Sequence, residues 1–193
     1  VSLRETQTYE IIDDVAHMKS EIGLLYYNDF NRPVLEKLIH TNELTFTELF
    51  TAHPHIFIGK THPLAHKEVV SMDELEEYPY ISFEQGDHNS FYFSEEIFST
   101  VVRPKHIRVR DRASLFSLLL GLDGYTVSSG VIDKEVNGEN IISVPLAEEG
   151  LMHIGYITNN KMQRSRLGQE YIHALEQYVS NYGRHIQLPE NKK

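Results

Sequence analysis

Apolar residues recur with two different spacings along the chain, and the two spacings alternate. Residues 11–18 place isoleucine, valine and methionine at intervals that bury one stripe of a helix beginning near Thr8. The run EIGLLYY at residues 21–27 is almost continuously apolar, which is typical of a strand covered on both faces. Because helical and extended segments follow each other in this way, the pattern predicts an α/β fold in which helices cover a sheet.

Proline, glycine and capping residues divide the rest of the chain into short elements. Pro33 stands in the first turn of a second predicted helix. A Ser-x-x-Glu capping pattern at residues 71–74 predicts a helix that Pro79 ends. Further helices are predicted over residues 91–101, 113–120 (capped by Asp111) and 165–182, and strands over residues 44–52, 55–60, 80–83, 105–110, 125–127, 141–145 and 151–158.

The segment at residues 55–83, HIFIGKTHPLAHKEVVSMDELEEYPYISF, combines a strand, a polar corner, a short helix and another strand. We interpret it as a crossover into a second lobe, and residues 151–158 as the return. The first lobe is then residues 1–58 plus 151–193 and the second is residues 59–150, with hinges near Gly59 and Leu151. Small molecules usually bind in clefts at domain junctions, so a ligand cleft between the lobes is expected.

The charge of the chain argues against direct contact with nucleic acid. Its 18 Lys+Arg and 28 Asp+Glu give a formal net charge of -10, which repels a phosphate backbone. The basic run RPKHIRVRDR at residues 103–112 is interpreted as one solvated strand face. No apolar run approaches the roughly 20 residues of a membrane-spanning helix, so no membrane partner is expected. The absence of cysteine excludes disulfides and thiol chemistry.

Two patterns that suggest catalysis lack the residues that the chemistry needs. Residues 59–61 (Gly-Lys-Thr) end like a phosphate-binding loop, but Pro54 replaces the first glycine and Pro63 obstructs the helix that should follow. Residues 128–130 (Ser-Ser-Gly) follow a strand, as nucleophilic serines do, without the G-x-S-x-G elbow. We therefore predict neither an enzyme nor a cofactor.

Eleven histidines raise the question of a metal site. The closest pairs are His53 with His55 and His62 with His66, and neither belongs to a helical HExxH motif or to a cluster with carboxylates. The neighbouring prolines place these histidines on corners, where polar side chains are usually solvated. No metal is expected.

The remaining candidates for ligand binding follow the carboxyl ends of predicted strands or begin predicted helices, where ligands bind in open α/β sheets. A helix beginning near Asn89 would offer free backbone N–H groups and a positive dipole end to a carboxylate. The same groups serve helix capping, so Thr8 and Asn89 or Ser90 are also expected as caps. The candidate residues are Thr8, Tyr26, Ser82, Gln85, His88, Asn89, Ser90 and Ser128.

In order and spacing, these segments resemble the effector-binding (co-inducer) domain of LysR-type transcriptional regulators. The residues that carry the resemblance are VAHMKSEIGLLYY at 15–27, IFIGKTHPLA at 56–65, VVSMDELEEYPYISF at 69–83 and GLDGYTVSSG at 121–130. Glu21 stands where the family commonly has aspartate. The resemblance implies a two-lobed, periplasmic-binding-protein-like type II fold, with Rossmann-like lobes joined by two crossover strands.

The resemblance also implies a function and partners. The domain would bind a small metabolite, often a carboxylate in the family, in the interlobe cleft through Thr8, Tyr26 and residues 88–90. Family members self-associate as homodimers or tetramers and reach DNA through an N-terminal winged helix-turn-helix, which has no counterpart in this sequence. The first strand and helix of lobe one also have no counterpart, so a gap beside residues 1–4, or a strand from another chain, is expected.

Two other functions fit parts of the sequence. A solute-binding protein of a transport system shares the two-lobed fold, but no export signal is visible at residues 1–5, and this favours a cytoplasmic protein. A small enzyme would use Asp111 or His88 as an acid or base. Asp111 is explained more simply as a helix cap.

Overall fold

The computed structural model describes residues 2–133, 138–181 and 186–187. The chain divides into two units, the first formed by Val1–Ala52 with Leu151–Lys193 and the second by His53–Gly150. The helices are α1 Thr8–Ala16, α2 Arg32–Thr41, α3 Arg112–Gly121 and α4 Arg166–Ser180. The strands are β1 Gly23–Tyr27, β2 Leu44–Ala52, β3 His55–Gly59, β4 Tyr80–Phe83, β5 His106–Val109, β6 Thr126–Ser128, β7 Ile141–Pro145, β8 Met152–Asn159 and β9 Ile186–Gln187.

The first unit is built on an antiparallel sheet with the strand order β1-β8-β2-β9. α1 packs on β1 and β8, while α2 and α4 contact β2. Gly23 permits the close approach of α1, because a Cβ there would lie 2.5 Å from Ile11 Cγ2. Ile12 and Val15 are buried as the periodicity predicts, but the helix ends at Ala16 and Met18 adopts a φ of 57°.

The amino-terminal residues 2–7 form no strand. Arg4 holds this segment against α1 through a hydrogen bond and ion pair from Nη1 to Asp14 Oδ2 at 2.6 Å. β1 pairs with β8, and no other described strand pairs with the second edge of β1. Val1 lies outside the described residues, and the predicted gap beside residues 1–4 stays a prediction.

The second unit contains an antiparallel sheet of order β6-β3-β7 and a parallel pair, β4 with β5. A parallel bridge between Tyr80 and Tyr125 connects β4 to the segment that leads into β6. β3 pairs with β7 over its whole length and with β6 over its first three residues, so residues 55–59 lie wholly in this unit. The sequence-based boundary at 58/59 divides that strand, whereas the chain passes between the units after Ala52 and after Gly150.

The core of the second unit forms where α3 packs against β3, β4 and β5. Its buried members are Phe57, Ile81, Val109, Leu115, Leu119 and Ile141. As predicted, Asp111 caps α3, because its Oδ1 accepts a hydrogen bond from the Ser114 backbone N–H at 2.8 Å.

The predicted helix over residues 91–101 is wrong. Only Phe91–Phe93 form a single 3-10 turn, and bends and turns follow as far as residue 101. Phe98 has a φ of 62°, which no α-helix can include. The segment is rich in aromatic and β-branched residues, which have low helix propensity.

The helix predicted after residue 71 is also shorter than expected. The structure has only a 3-10 turn there, Asp73–Leu75. The predicted capping contact is nevertheless present, because the Ser71 N–H donates to the Glu74 carboxylate at 3.1 Å.

Candidate functional site

Thr8 begins α1 and is buried, with 7% of its surface exposed. Its expected role as the helix cap is wrong, because Gln7 occupies the N-cap position and makes no side-chain capping bond. The Asn159 amide donates to the backbone oxygens of Val15 and Ala16 at 3.3 and 3.2 Å. The carboxyl end of α1 therefore lies beside the end of β8, and Thr8 lies toward the opposite end of the sheet.

Tyr26 lies within β1, opposite Ile154 of β8, and is half-buried. The chain turns immediately after β1, and Asn28 and Asn31 are joined by hydrogen bonds across this turn. Asn28 N–H donates to Asn31 Oδ1 at 2.8 Å, and Asn28 Oδ1 accepts the N–H groups of Phe30 and Asn31 at 2.9 and 3.0 Å. The register of β1 with β8 places the carboxyl end of β1 at the same end of the sheet as Thr8.

A cluster of aromatic and charged side chains surrounds Tyr27. The Tyr27 ring lies 4.2 Å from the Phe46 ring, and the Arg32 guanidinium lies 5.5 Å from its centroid. His153 Nδ1 lies 2.6 Å from Glu48 Oε2 on the two strands alongside. Burial raises the pKa of Tyr27 to about 12, so its hydroxyl stays protonated at neutral pH. Sequence patterns did not predict this cluster.

In the second unit, Gln85, His88, Asn89 and Ser90 form one continuous turn after β4. His88 N–H donates to the Gln85 backbone oxygen at 3.1 Å, and Ser90 N–H donates to the His88 oxygen at 2.7 Å. Gln85 is buried, with 2% exposed, whereas His88 and Asn89 are exposed. The turn therefore begins at a buried residue, Gln85, and exposes His88 and Asn89 to solvent.

The structure removes the α-helix that was expected to begin at Asn89. Asn89 follows one 3-10 turn, Gly86–His88, and precedes another, Phe91–Phe93. Ser90 caps the second turn, because its Oγ accepts the Tyr92 N–H at 3.4 Å. One turn aligns too few peptide dipoles to attract a carboxylate as a helix does. The helix-dipole basis for an anion site at Asn89 is therefore wrong, and a ligand contact there stays a prediction.

A polar cluster lies on one face of β4, and we call its five residues, Tyr80, Ser82, Arg103, His106 and Tyr125, the Arg103 cluster. Ser82 Oγ lies 2.7 Å from His106 Nε2. The Arg103 guanidinium lies 4.0 Å from the centroid of the Tyr80 ring, and Nε donates to the Tyr125 hydroxyl at 3.0 Å. Ser82 is thus a buried residue whose hydroxyl contacts the His106 ring.

Arg103 corrects the interpretation of the basic run as a wholly solvated face. Its Nη1 donates to the backbone oxygens of Phe98 and Val101 at 3.1 and 2.9 Å, and Nη2 is buried without a hydrogen bond to any described residue. Arg108 and Arg110 of the same run are exposed. One arginine of the run therefore organises residues 98–101, and the others face solvent.

Glu96 is buried, with 3% of its surface exposed, and its carboxyl interacts electrostatically with Arg103. Its carboxylate Oε1 accepts the Phe83 N–H at 2.8 Å. Burial raises the pKa of Glu96 to about 8, against the opposing charge of Arg103, so the carboxyl is mainly protonated at neutral pH. Partial burial, then the charges of Arg108 and Arg103, lower the pKa of His106. At pH 7 the largely protonated carboxyl of Glu96 therefore does not neutralise the positive charge of Arg103.

Ser128 ends β6 and lies opposite His55 of β3. Because the bridge between Tyr80 and Tyr125 is parallel, the carboxyl ends of β4 and β6 lie at the same end of the unit. The structure thus brings Ser128 to the end of the sheet where the turn at Gln85 begins.

The two predicted hinge residues occupy different positions. Gly59 ends β3, opposite Ile141 of β7, and a Cβ there would lie 3.1 Å from Leu120 Cδ2. Leu151 directly follows the point where the chain returns to the first unit. Gly59 is therefore part of a ladder and Leu151 adjoins a crossing; their action as hinges stays a prediction.

Of the four corner histidines, His53 and His66 are exposed as expected, whereas His55 and His62 are buried. His62 is 3% exposed, its Nδ1 accepts the Leu64 N–H at 3.0 Å, and its Nε2 lies 3.0 Å from the Asp123 oxygen. Burial lowers the pKa of His62, so it is a neutral structural residue at pH 7. Within residues 2–133, 138–181 and 186–187, no group of three His, Cys, Asp or Glu is placed to hold a metal ion. None of the described helices combines the length and apolar character needed to cross a bilayer.

The LysR substrate binding domain model matches residues 1–180 of the chain. The chain belongs to this family. No curated protein sequence matches it. The family resemblance drawn from residues 15–27, 56–65, 69–83 and 121–130 is thereby confirmed.

Solved structures with the same fold share little sequence with the chain. The effector binding domain of QuiR in complex with shikimate gives a TM-score of 0.62 at 15% identity, over 94% of this chain and 82% of that one. The BenM effector binding domain with its effector benzoate gives 0.58 at 15% identity, over 94% and 78%. HinK, a LysR family transcriptional regulator from Pseudomonas aeruginosa, gives 0.59 at 15% identity, over 91% of this chain and 58% of HinK. The chain thus spans less than two-thirds of that regulator.

Family membership decides between the functions left open by the sequence. The LysR substrate-binding domain has the periplasmic-binding-protein-like type II fold, as predicted. The match favours the sensing domain of a transcriptional regulator over the solute-binding protein of a transport system. The family is regulatory and not catalytic, and Asp111 is engaged in capping α3.

Proposed function

We propose that this LysR substrate-binding domain senses a small carboxylate effector and thereby modulates transcription by the full-length regulator. The family match over residues 1–180 carries this proposal. QuiR and BenM, which share the fold, bind shikimate and benzoate, and both ligands are small carboxylates.

The residues that we assign to effector binding come from both units. In the first unit, Thr8 and Tyr26 lie toward the same end of the sheet. In the second unit, the carboxyl ends of β4 and β6 place their residues at one end of the unit. The assigned set is Thr8, Tyr26, Ser82, Gln85, His88, Asn89, Ser90 and Ser128, with Gly59 and Leu151 as hinges between the two regulatory lobes.

The remaining parts of the proposal concern partners. We assign no catalytic residue, cofactor or metal to the domain. LysR regulators act on DNA, and we assign that contact to another part of the full-length protein because this chain is acidic. We further infer self-association as a homodimer or tetramer and a cytoplasmic location.

Thermal unfolding in the presence of a panel of small carboxylates, including benzoate and shikimate, tests the effector class. At least one compound should raise the melting temperature in a concentration-dependent way, because a ligand that binds only the folded state stabilises it. The corresponding uncharged amide or alcohol should have a smaller effect. A panel in which neutral analogues stabilise the protein equally contradicts the carboxylate assignment.

Asn89→Ala tests the site assignment with any compound that stabilises the protein. Asn89 is exposed on the turn after β4, so the variant should fold normally but respond less to the compound. Asn140→Ala, an exposed asparagine of the same unit, is the matched control and should keep the full response. Equal responses of both variants to the compound would remove Asn89 from the site.

A further inference from the structure

An open polar groove lies on the first unit, with a volume of about 430 Å³. Threonines of β2 and β8 form one side of it, and residues 160–164 with the first turn of α4 form the other. We call it the threonine groove, and its lining includes Thr45, Thr47, Thr158, Asn160, Gln163 and Arg164.

The strand register places three hydroxyl groups of the groove side by side. Thr45 and Thr47 are two residues apart on β2, so their side chains share one face of the sheet. Thr158 of β8 lies directly opposite Thr45. The intervening Phe46 points to the other face, where it packs against Tyr27. Threonine on this face leaves hydrogen-bond donors and acceptors for a polar ligand, where apolar residues would leave none.

The amides and the guanidinium complete a set of groups suited to an oxygen-rich ligand. Thr45 Oγ1 donates to Asn160 Oδ1 at 2.6 Å, which fixes the orientation of that amide and leaves its NH₂ group directed away from the oxygen. Gln163 is exposed at the groove and adds a further amide. The Arg164 backbone oxygen accepts a bond from Gln169, but its guanidinium makes no hydrogen bond or ion pair with any described residue.

The charge of the groove differs from that of the chain as a whole. Among the described residues, no side chain that lines the groove is acidic. The cations adjacent in sequence are neutralised, since Lys161 pairs with Glu43 and Arg166 pairs with Glu170. The unpaired guanidinium of Arg164 is therefore a local positive charge on a chain of net charge -10. An anion that also carries hydroxyl groups would use both features of the groove.

The groove is separate from the residues assigned to effector binding. β2 starts at the groove with Leu44 and runs to the crossing after Ala52, and β8 starts after the return crossing and ends at the groove with Asn159. Thr8 lies toward the crossing end of the same sheet. A ligand of the groove would therefore not compete directly with one at Thr8.

We propose that the threonine groove is a second binding site, for a small hydroxyl-rich carboxylate of the sugar-acid class. The planar guanidinium of Arg164 pairs with the carboxylate, and the threonine and amide groups pair with the ligand hydroxyls. The volume falls within the range of about 300–1,000 Å³ that small-molecule sites occupy, but the lining is polar, which disfavours flat aromatic acids. Because the groove is open to water, binding is weak, in the millimolar range.

A titration followed by ¹H–¹⁵N correlation spectra tests this site, with gluconate as the probe and sodium chloride added to hold ionic strength constant. Gluconate should shift the backbone amide signals of Thr45, Thr47 and Thr158 in a saturable way. Glucose, which lacks the charge, and acetate, which lacks the hydroxyls, should each bind about tenfold more weakly or less. Equal binding of glucose overturns the anion assignment, and equal binding of acetate overturns the hydroxyl assignment.

Two variants locate the contact. Arg164→Gln should weaken gluconate binding about tenfold, because it removes a charged hydrogen-bond donor and leaves an amide. Arg166→Gln, an equally exposed neighbour paired with Glu170, is the matched control and should change binding less than about twofold. Thr158→Val preserves the strand-favouring shape and should also weaken binding. The absence of saturable shifts at the three threonines, or equal losses in both arginine variants, overturns the proposal.

Discussion

Arg103 is a charged residue that stabilises the local structure of the second unit through its contacts. It stacks on Tyr80, donates to the Tyr125 hydroxyl and holds two backbone oxygens of the loop at residues 98–101. The hydrogen bonds from Arg103 to Phe98 and Val101 take the place of backbone hydrogen bonds that a helix would have provided. Nearby, Glu96 gives a hydrogen-bond acceptor to the end of β4 while its own carboxyl stays largely protonated. Both side chains therefore act on the architecture around Ser82.

Replacing Arg103 with methionine should destabilise the protein by about 2 kcal/mol, because the aliphatic stem remains but the hydrogen bonds to Tyr125, Phe98 and Val101 are lost. Arg108→Met is the matched control, since Arg108 is an exposed arginine of β5, and it should change stability by less than about 0.5 kcal/mol. Urea unfolding measures both values. Indistinguishable midpoints for the two variants would show that Arg103 is only a solvated charge.

Replacing Glu96 with glutamine should change how stability depends on pH. Below its unfolded pKa of 4.5 the Glu96 carboxyl is protonated in both states, so it contributes no pH dependence. From there to about pH 8 the folded state keeps a proton that the unfolded state releases, and the wild-type protein loses stability as pH rises. The slope is at most about 1.4 kcal/mol per pH unit for one carboxyl.

Urea unfolding of Glu96→Gln between pH 5 and pH 8 measures this difference. The variant keeps an acceptor for the Phe83 N–H and should become more stable than wild type as pH increases. Glu76→Gln removes an exposed carboxyl of the same unit and should leave the pH dependence as it is in wild type. A Glu96→Gln curve that runs parallel to the wild-type curve would contradict a protonated Glu96.

At the scale of elements, sequence patterns predicted a strand or helix correctly where a single property, such as a continuous apolar run or a capping residue, determines it. The continuous apolar run at residues 21–27 produces β1, and the aspartate before the apolar run at residues 113–120 caps α3. They failed at residues 91–101, where apolar spacing suits a helix but Phe98 takes a left-handed conformation and Arg103 satisfies the backbone. The spacing of apolar residues indicates which side chains are buried. It does not indicate which groups donate hydrogen bonds to the backbone oxygens.

Loss of the cap on α3 should weaken the second unit. Asp111→Ala removes the acceptor of the Ser114 N–H and should cost about 1 kcal/mol of stability, the usual value of a helix cap. Asp87→Ala, which removes an exposed aspartate from the turn after β4, is the control and should be nearly neutral. Thermal unfolding at neutral pH compares them. Equal melting temperatures for the two variants would argue that the cap contributes nothing.

At the scale of the whole molecule, the two units differ in how the chain builds them. The first unit joins two segments distant in sequence through the β1-β8-β2 ladders, whereas the second is the single segment His53–Gly150. The second also has a core of its own around Ile81, Leu115 and Leu119. A continuous segment with its own core meets the requirements of an independent folding unit.

A protein containing only residues 53–150 should therefore unfold in one cooperative thermal transition and retain near-ultraviolet dichroism from its tyrosines. A shorter segment, residues 53–109, lacks α3, β6 and β7 and with them Leu115, Leu119 and Ile141 of the core, so it should show no transition. Circular dichroism measures both. A segment 53–150 that lacks a cooperative transition would mean that the first unit is needed for its stability.

The residues along the chain were enough to predict most strands, the helices α1 to α4, the alternation typical of α/β proteins, and the family, because burial patterns and the motifs around His62 and residues 121–130 are local properties of the chain. Only the tertiary structure decided the roles of individual polar residues. Arg103 and Glu96 look like ordinary surface charges in sequence, yet Arg103 is half-buried against the Tyr80 ring and Glu96 is buried where it accepts the Phe83 N–H. Thr45 and Thr158 become neighbours only through strand register. Register and burial depend on contacts between distant segments, and residue spacing along the chain does not encode those directly.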